Sequence, residues 1–320
     1  MAHAHNHNHA HDHDDHAGHS HGPGGHVHAP ADFGKAFAIG ITLNTVFVIV
    51  EAVYGYAAGS MALVADAGHN LSDVLGLIAA WVAAILAKRA ATPRYTYGLK
   101  ASSILAALFN AVFLLVAVGA IAWEAVLRLF NPEPVTEITV MIVATIGIVI
   151  NGITALMFAS GRNSDLNIRG AYLHMVADAA VSVGVVIAAI AIMFTGWLWI
   201  DAATSLVICV LIVWGTWSLL RDSTAMSLAA VPRGIDPLAV RKTLEASAGV
   251  TQVHDLHIWP MSTTEVALTC HLVIPSGAPG DAYLMEIAAR LKRDFGIEHA
   301  TIQIETDPNS ACALAPEHVI

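Results

Sequence analysis

The chain has 320 residues, of which 56% are hydrophobic and only 12% charged, and its formal net charge is −10. Soluble domains carry about 25% charged residues, so a wholly soluble protein is excluded. The acidic balance without a basic patch argues against a nucleic-acid partner.

Residues 1–32 are low-complexity and cannot build a core. Eleven of the eighteen histidines precede residue 29, interspersed with Asp, Asn, Ser and Gly rather than forming the pure run of a tag. Neutral imidazole is a zinc-type ligand, so weak and flexible metal binding is expected of this cytosolic tail. The N-terminus is polar rather than basic and then apolar, so no signal peptide is expected.

Six apolar segments follow, at about 36–57, 61–87, 102–130, 138–160, 170–195 and 198–220. Each reaches the ~20 residues that a bilayer core requires. The links "GYAAGS" and "TGW" are so short that the helices they join are antiparallel neighbours. Lys88, Arg89, Arg94 and Lys100 occupy the 2–3 loop, Arg162 and Arg169 the 4–5 loop, and Arg221 and Arg233 follow the last span. The opposite links hold almost no positive charge, so both termini are expected in the cytoplasm. Trp197 and Trp199 at one end of the sixth span, with Trp214 and Trp217 near the other, fit interfacial aromatic belts.

From about residue 222 the composition becomes that of a soluble domain. "DPLAVRKTLEAS" predicts a helix with Asp236 as N-cap and Pro237 at its first position. "QVHDLHIWP" and "TEVALTCHLVI" have the period-two character of strands, "DAYLMEIAARLKRDF" reads as a helix, and "HATIQIE" as a last short strand. The expected whole is an α-helical integral membrane protein: a tail over 1–32, six transmembrane helices over 33–221, a cytosolic ferredoxin-like α+β domain over 222–308, and a flexible tail over 309–320. Such a small domain suits metal binding or dimerisation better than catalysis. Cys209, Cys270 and Cys312 are far apart and imply no disulfide framework.

The second span contains "ALVADAGHNLSD", which puts Asp66, His69, Asn70 and Asp73 where hydrocarbon is expected. His69 and Asp73 are four apart and share a helix face. "AYLHMVADAAVS" in the fifth span repeats the spacing with His174 and Asp178. Two imidazoles and two carboxylates make a tetrahedral N/O set of the kind zinc prefers, and their charge of −2 cancels a divalent cation. A charge at mid-bilayer costs about 2.5–3.5 kcal/mol on insertion scales, so two matched pairs imply function. Asp66, one turn before His69, lines the access path or tunes that histidine. Glu51 and Asn44 share a face of the first span, and a water-lined cavity or a helix–helix hydrogen bond explains them equally well.

No HExxH motif and no P-loop occur, so neither intramembrane proteolysis nor nucleotide hydrolysis is expected. Four protein ligands also argue against a zinc enzyme, since catalytic zinc usually keeps three. A carrier driven by an ion gradient remains, because metal entry releases protons from its ligands and proton entry displaces metal. A membrane-tethered zinc buffer or sensor is the alternative, although a buffer has no reason to bind metal at mid-bilayer.

Over residues 36–308 the chain resembles the zinc-transporting branch of the cation diffusion facilitator family. The resemblance rests on "LVADAGHNLSDV", "YTYGL", "NPEPV", "AYLHMVADAAVSVG", "VHDLHIW" and "IEHATIQIE". It implies a six-helix homodimer in the inner membrane, paired through its cytosolic domains. It implies export of Zn²⁺ against inward protons, with His69, Asp73, His174 and Asp178 as the transport site. Zinc would be both substrate and regulatory ligand, and no organic cofactor is implied. Where relatives often place an acid after the loop's Tyr-Gly, this chain reads "YGLKASS", with Lys100 one place early and Ser103 at the acid's position.

Strand parity in the cytosolic domain puts Val266, Leu268, Cys270, Leu272 and Ile274 on one face and His271 on the other. By the same count Glu305 and His257 join His271. His254 has the opposite parity unless the strand starts there or bulges, but the resemblance implies it as a ligand. The expected cytosolic set is therefore His254, His257, His271 and Glu305, with Cys312 and His318 in the tail beyond.

Overall fold

The structure, a computed structural model, describes residues 35–159, 166–277, 279–307 and 312. The His-rich segment, Arg162 in the 4–5 loop and His318 lie outside the described residues.

Six long helices come first: α1 (Lys35–Ala57), α2 (Met61–Ala87), α3 (Ser102–Phe130), α4 (Glu137–Ala159), α5 (Leu166–Thr195) and α6 (Trp199–Ser227). The last five are long and apolar enough to cross a bilayer, and α1 adds a shorter apolar stretch, Asn44–Ala57, among its described side chains. Large apolar side chains point outward along them, including Phe109, Trp123, Phe194 and Trp214. Between the helices the buried residues are mostly small or β-branched: Ala58, Ala62, Ala65, Ala144, Val118 and Val185. Lipid tails are as apolar as leucine, so close backbone approach rather than hydrophobic burial holds such helices together. Gly147 of α4 shows the requirement directly, since a Cβ there would come within 2.7 Å of the Phe47 ring and 3.1 Å of Ser182 Oγ.

The α1–α2 turn is pinned at its far end. Gly59 takes φ +70°, a conformation that favours glycine, and Ser60 caps α2 by accepting a bond from the Leu63 N–H. The buried Asp201 carboxylate of α6 accepts bonds from Ser60 Oγ and, at 2.6 Å, from the Met61 N–H. A carboxylate at a helix N-terminus satisfies donors that have no intrahelical partner and complements the helix dipole. Arg128 completes the joint by donating to the Gly59 carbonyl at 2.7 Å.

α6 continues past residue 221 to Ser227. The added turns are polar but not free: Asp222 pairs with Arg233 at 2.8 Å, and Ser223 and Ser227 donate back to carbonyls one turn earlier. The helix thus outlasts its apolar stretch and leads into the cytosolic domain, which runs α7 (Pro237–Glu245), β1 (Gln252–Pro260), β2 (Val266–Val273), α8 (Asp281–Phe295) and β3 (His299–Glu305). Asp236 caps α7 by accepting the Leu238 N–H at 2.9 Å, with Pro237 at the start of the helix. The sheet order is β1-β2-β3, with β1–β2 antiparallel and β2–β3 parallel. Val240, Leu244, Ile287 and Leu291 of the helices pack on Leu268, Cys270 and Leu272, and among the described residues no helix lies on the other sheet face. Burial pushes the Cys270 thiol up to about 12, with the nearby Asp255 adding to it, so Cys270 belongs to this core.

The two parts meet at the β1–β2 turn. Lys100 forms an ion pair with Glu265, Ser103 Oγ accepts the Thr263 N–H at 3.1 Å, and Tyr97 meets His299 edge-on at 5.5 Å. The departures in "YGLKASS" are therefore used: both Lys100 and Ser103 hold the cytosolic domain.

Candidate metal centres

The first centre lies between α2 and α5, helices that touch each other only briefly. His69 Nε2 is 3.7 Å from Asp73 Oδ2 on its own helix and 3.4 Å from Asp178 Oδ1 across the gap. His174 Nε2 is 3.1 Å from Asp73 Oδ2 and 3.6 Å from Asp178 Oδ2. The four side chains form a closed ring in which imidazole and carboxylate alternate, which keeps the like charges at opposite corners. Donor atoms of His69, His174 and Asp178 all lie within 4.8 Å of one another, and Asp73 meets both imidazoles from the remaining side. Metal bonds of about 2.0–2.2 Å in a tetrahedron place neighbouring donors roughly 3.3–3.6 Å apart. The ring is already near that size. A cavity opens onto it, lined by Asn44, Asn70, Asp73, His174, Met175 and Asp178 among others.

A second polar layer sits beside the ring. Glu51 of α1 accepts from Asn70 Nδ2 at 3.2 Å, and Asp66 accepts from Ser182 Oγ at 3.1 Å. Glu51, Asp66 and Ser182 have no exposed surface. Asp66 is thus bonded to α5 and does not line the cavity, while Asn44 does. Of the two explanations for the α1 pair, the helix–helix bond holds for Glu51, and both hold for Asn44, which lines the cavity and donates to Met175 Sδ of α5 at 3.7 Å. Ser182 was not singled out from the sequence, though its signal is there: it continues the His174–Asp178 face by one more turn.

The second centre is on the uncovered sheet face. A bulge shifts the β1–β2 register between His254 and His257, and within it Asp255 takes φ +51°. The extra residue puts His254 opposite His271 and His257 opposite Thr269, so both histidines reach the same face. That bulge is what strand parity could not supply. Glu305 Oε1 lies 3.0 Å from His271 Nδ1 and 3.4 Å from His254 Nε2, and the two rings meet edge-on at 5.1 Å. Cys312 Sγ is 3.6 Å from His271 Nδ1. His254, His271, Glu305 and Cys312 offer donor atoms all within 4.8 Å of one another. Burial alone would raise the Glu305 carboxyl, but the Cys312 thiol and the two imidazoles outweigh it and hold the group below the usual carboxylate range.

His257 is not among those four. Its Nε2 lies 2.9 Å from Asp255 Oδ1, while Asp255 Oδ2 is 3.5 Å from His271 Nε2, so Asp255 stands between the two histidines. The expected quartet thus has three members together and one set apart. Asp255 sits inside "HDLH", where strand parity alone assigns it no role.

Comparison with known proteins gives two matches that together span nearly the whole described chain. Residues 37–226 match the cation efflux transmembrane domain, and residues 232–307 match the cytoplasmic domain of cation efflux proteins. The chain is 39% identical to the metal cation efflux system protein CzcD of Cupriavidus metallidurans, over 91% of each chain. It is 35% identical to the cadmium, cobalt and zinc/H(+)-K(+) antiporter of Bacillus subtilis, over 89% of this chain and 93% of that one. It is also 35% identical to the zinc transporter ZitB of Escherichia coli, over 85% of this chain and 87% of that one.

Proposed function

The chain belongs to the cation efflux family of multi-pass membrane metal transporters, and we propose that it exports Zn²⁺ from the cytosol in exchange for protons. His69 and Asp73 of α2 and His174 and Asp178 of α5 hold the ion as substrate. The observation that carries this reading is the closed ring of contacts among those four side chains between two membrane helices, with Asp178 buried and Asp73 and His174 partly exposed beside the cavity.

The chemistry follows from the donors. Neutral imidazoles and ionised carboxylates bind zinc, and protonation of the same groups releases it, so one set of side chains can carry metal one way and protons the other. The two carboxylates cancel the charge of the ion, which removes much of the cost of holding it away from water. The name of the Bacillus subtilis relative includes both zinc and protons, and that of the Escherichia coli relative zinc, which supports both halves of the exchange. Relatives of this kind are transporters rather than enzymes.

The loop charges favour an inner-membrane protein with both termini in the cytoplasm. In that orientation the domain of α7, α8 and the sheet is cytosolic, where it pairs two copies and binds regulatory zinc. His254 supports the second role: it is 5% exposed, and neither ring nitrogen has a hydrogen bond. Buried polar groups are rarely left so, and a metal ion would satisfy it.

Purified protein in liposomes, with a zinc-sensitive dye and a pH-sensitive dye trapped inside, tests the proposal. Zinc uptake accompanied by loss of internal protons is the expected result. Zinc binding with no flux of either ion would favour the tethered buffer or sensor instead.

A further inference from the structure

The cytosolic cluster has three donors on the sheet, from β1, β2 and β3, and a fourth that does not belong to the sheet. We propose that Cys312 closes this cluster as a thiolate ligand, making it a four-donor centre of two imidazoles, one carboxylate and one thiolate for a soft divalent cation such as Zn²⁺ or Cd²⁺. This rests on reading the cluster as a metal site, and it goes further in naming the ligand that completes it and the class of ion it selects.

Geometry comes first. Tetrahedral zinc with bonds of about 2.0–2.1 Å to nitrogen and oxygen and about 2.3 Å to sulfur sets neighbouring donors roughly 3.3–3.6 Å apart. Here Sγ to His271 Nδ1 is 3.6 Å, His254 Nε2 to Glu305 Oε1 is 3.4 Å and His271 Nδ1 to Glu305 Oε1 is 3.0 Å. These three separations are close to those of a filled site, and all four donors lie within 4.8 Å of one another.

Charge comes second. Two neutral imidazoles and one carboxylate carry −1, which leaves a divalent ion half compensated in a largely buried place. A thiolate brings the set to −2, the same balance as the ring between α2 and α5. The thiol proton passes to solvent when the metal–sulfur bond forms, since metal binding takes the deprotonated form.

The orphaned histidine is a third and independent pointer. A buried imidazole with neither nitrogen hydrogen-bonded is costly, and its Nε2, 3.4 Å from the Glu305 carboxylate, is placed to give its lone pair to an ion. The other two cysteines cannot substitute. Cys270 points into the apolar core on the opposite sheet face, and Cys209 is buried in α6.

Two consequences follow. Thiolate ligands favour zinc and cadmium over harder ions such as Mn²⁺, so the tail sets the ion to which the cytosolic domain responds. Because Cys312 lies seven residues beyond Glu305, metal binding also ties the C-terminal tail to the sheet.

Cobalt substitution tests this in the full chain carrying Asp73→Asn and Asp178→Asn, read at the first equivalent of metal, where the tetrahedral bands report the cytosolic cluster rather than the weakly binding His-rich tail. Titration with Co²⁺ should give tetrahedral visible bands together with a near-ultraviolet sulfur-to-cobalt charge-transfer band. In Cys312→Ser the charge-transfer band should vanish while the visible bands persist, and zinc should bind at least ~10-fold more weakly, as outer ligand contacts alone are worth that much. Zinc should also slow alkylation of Cys312 by ~10-fold or more, because a metal-bound sulfur is a poor nucleophile. Tetrahedral cobalt bands without charge transfer, equal in wild type and Cys312→Ser, would overturn the role of Cys312 and leave the cytosolic site standing. No tetrahedral cobalt bands in the double variant would overturn the site itself, and the Cys312 proposal with it.

Discussion

The centre between α2 and α5 takes all four of its donors from two helices, each at a spacing of four residues. The centre on the cytosolic sheet takes its donors from three strands and a tail, and needs a bulge at Asp255 to align one of them. The first is therefore specified by local periodicity and needs only that two helices lie side by side. The second exists only once β1, β2 and β3 have paired in register. The same donor chemistry is thus reached by one short-range route and one long-range route. A substitution that leaves the helices intact should affect the first centre through its ligands alone. The second should also be sensitive to anything that disturbs strand pairing.

The largest contrast is expected from Asp73→Ala. It removes one of the four donors of the membrane ring and should lower zinc flux at least ~100-fold, beyond the roughly 10–100-fold that outer contacts alone are worth. Insertion and folding should be unaffected, since a charged group leaves the hydrocarbon. Flux in proteoliposomes, set against the amount of inserted protein, measures it. Zinc flux near wild type would remove Asp73 from the transport site.

His69→Asp should separate ligand identity from ligand number. The set would become one imidazole and three carboxylates, with charge −3 when ionised. Carboxylate is harder than imidazole and less demanding of tetrahedral geometry, so discrimination between Zn²⁺ and larger or harder ions should fall by about tenfold. Extra negative charge also makes the remaining carboxylates easier to protonate, so proton competition should move to higher pH. Competition assays at several pH values read both effects. An unchanged preference and pH profile would mean that His69 is not a ligand.

Glu305→Ala probes the long-range centre. It removes the oxygen that both His254 and His271 face. Transport should fall only several-fold, and mainly at low zinc, because the pathway through the membrane keeps all of its donors. A loss as complete as that of Asp73→Ala would put the cytosolic cluster on the transport path and erase the distinction between the two centres.

The smallest effect is expected from His257→Ala. This side chain is 41% exposed and faces Asp255 rather than the four-donor cluster. Zinc affinity of the cytosolic site should change by less than about threefold, since His257 reaches the ligand His271 only through Asp255 and so stands one step beyond the outer contacts worth roughly 10–100-fold. Isothermal titration with and without His257→Ala, in the background of Asp73→Asn and Asp178→Asn, makes the comparison. A change as large as that from His254→Ala would bring His257 back among the ligands.

Much of this protein is written in local pattern. The apolar runs place the helices to within a few residues, apart from the polar end of α6, because a bilayer demands length and apolarity, properties of contiguous sequence. His69 with Asp73, and His174 with Asp178, are legible because a helix puts residues four apart on one face wherever it lies. Asp236 and Pro237 announce the start of α7 for an equally local reason.

Other features depended on partners distant in the chain. Asp201 reads as an acid at the head of a membrane helix, and only packing shows it capping α2, more than a hundred residues earlier. His254 sat on the wrong face until a bulge with Asp255 at positive φ turned it over. Such a bulge is decided by how β1 pairs with β2. Cys312 lay in a stretch with no periodicity, and nothing in its neighbours ties it to His271. A helix carries its own coordinate system within the sequence, whereas a sheet and a returning tail acquire theirs only from the chain segments they meet. For that reason the membrane ring could be read in advance, while the composition of the cytosolic cluster had to wait for tertiary structure.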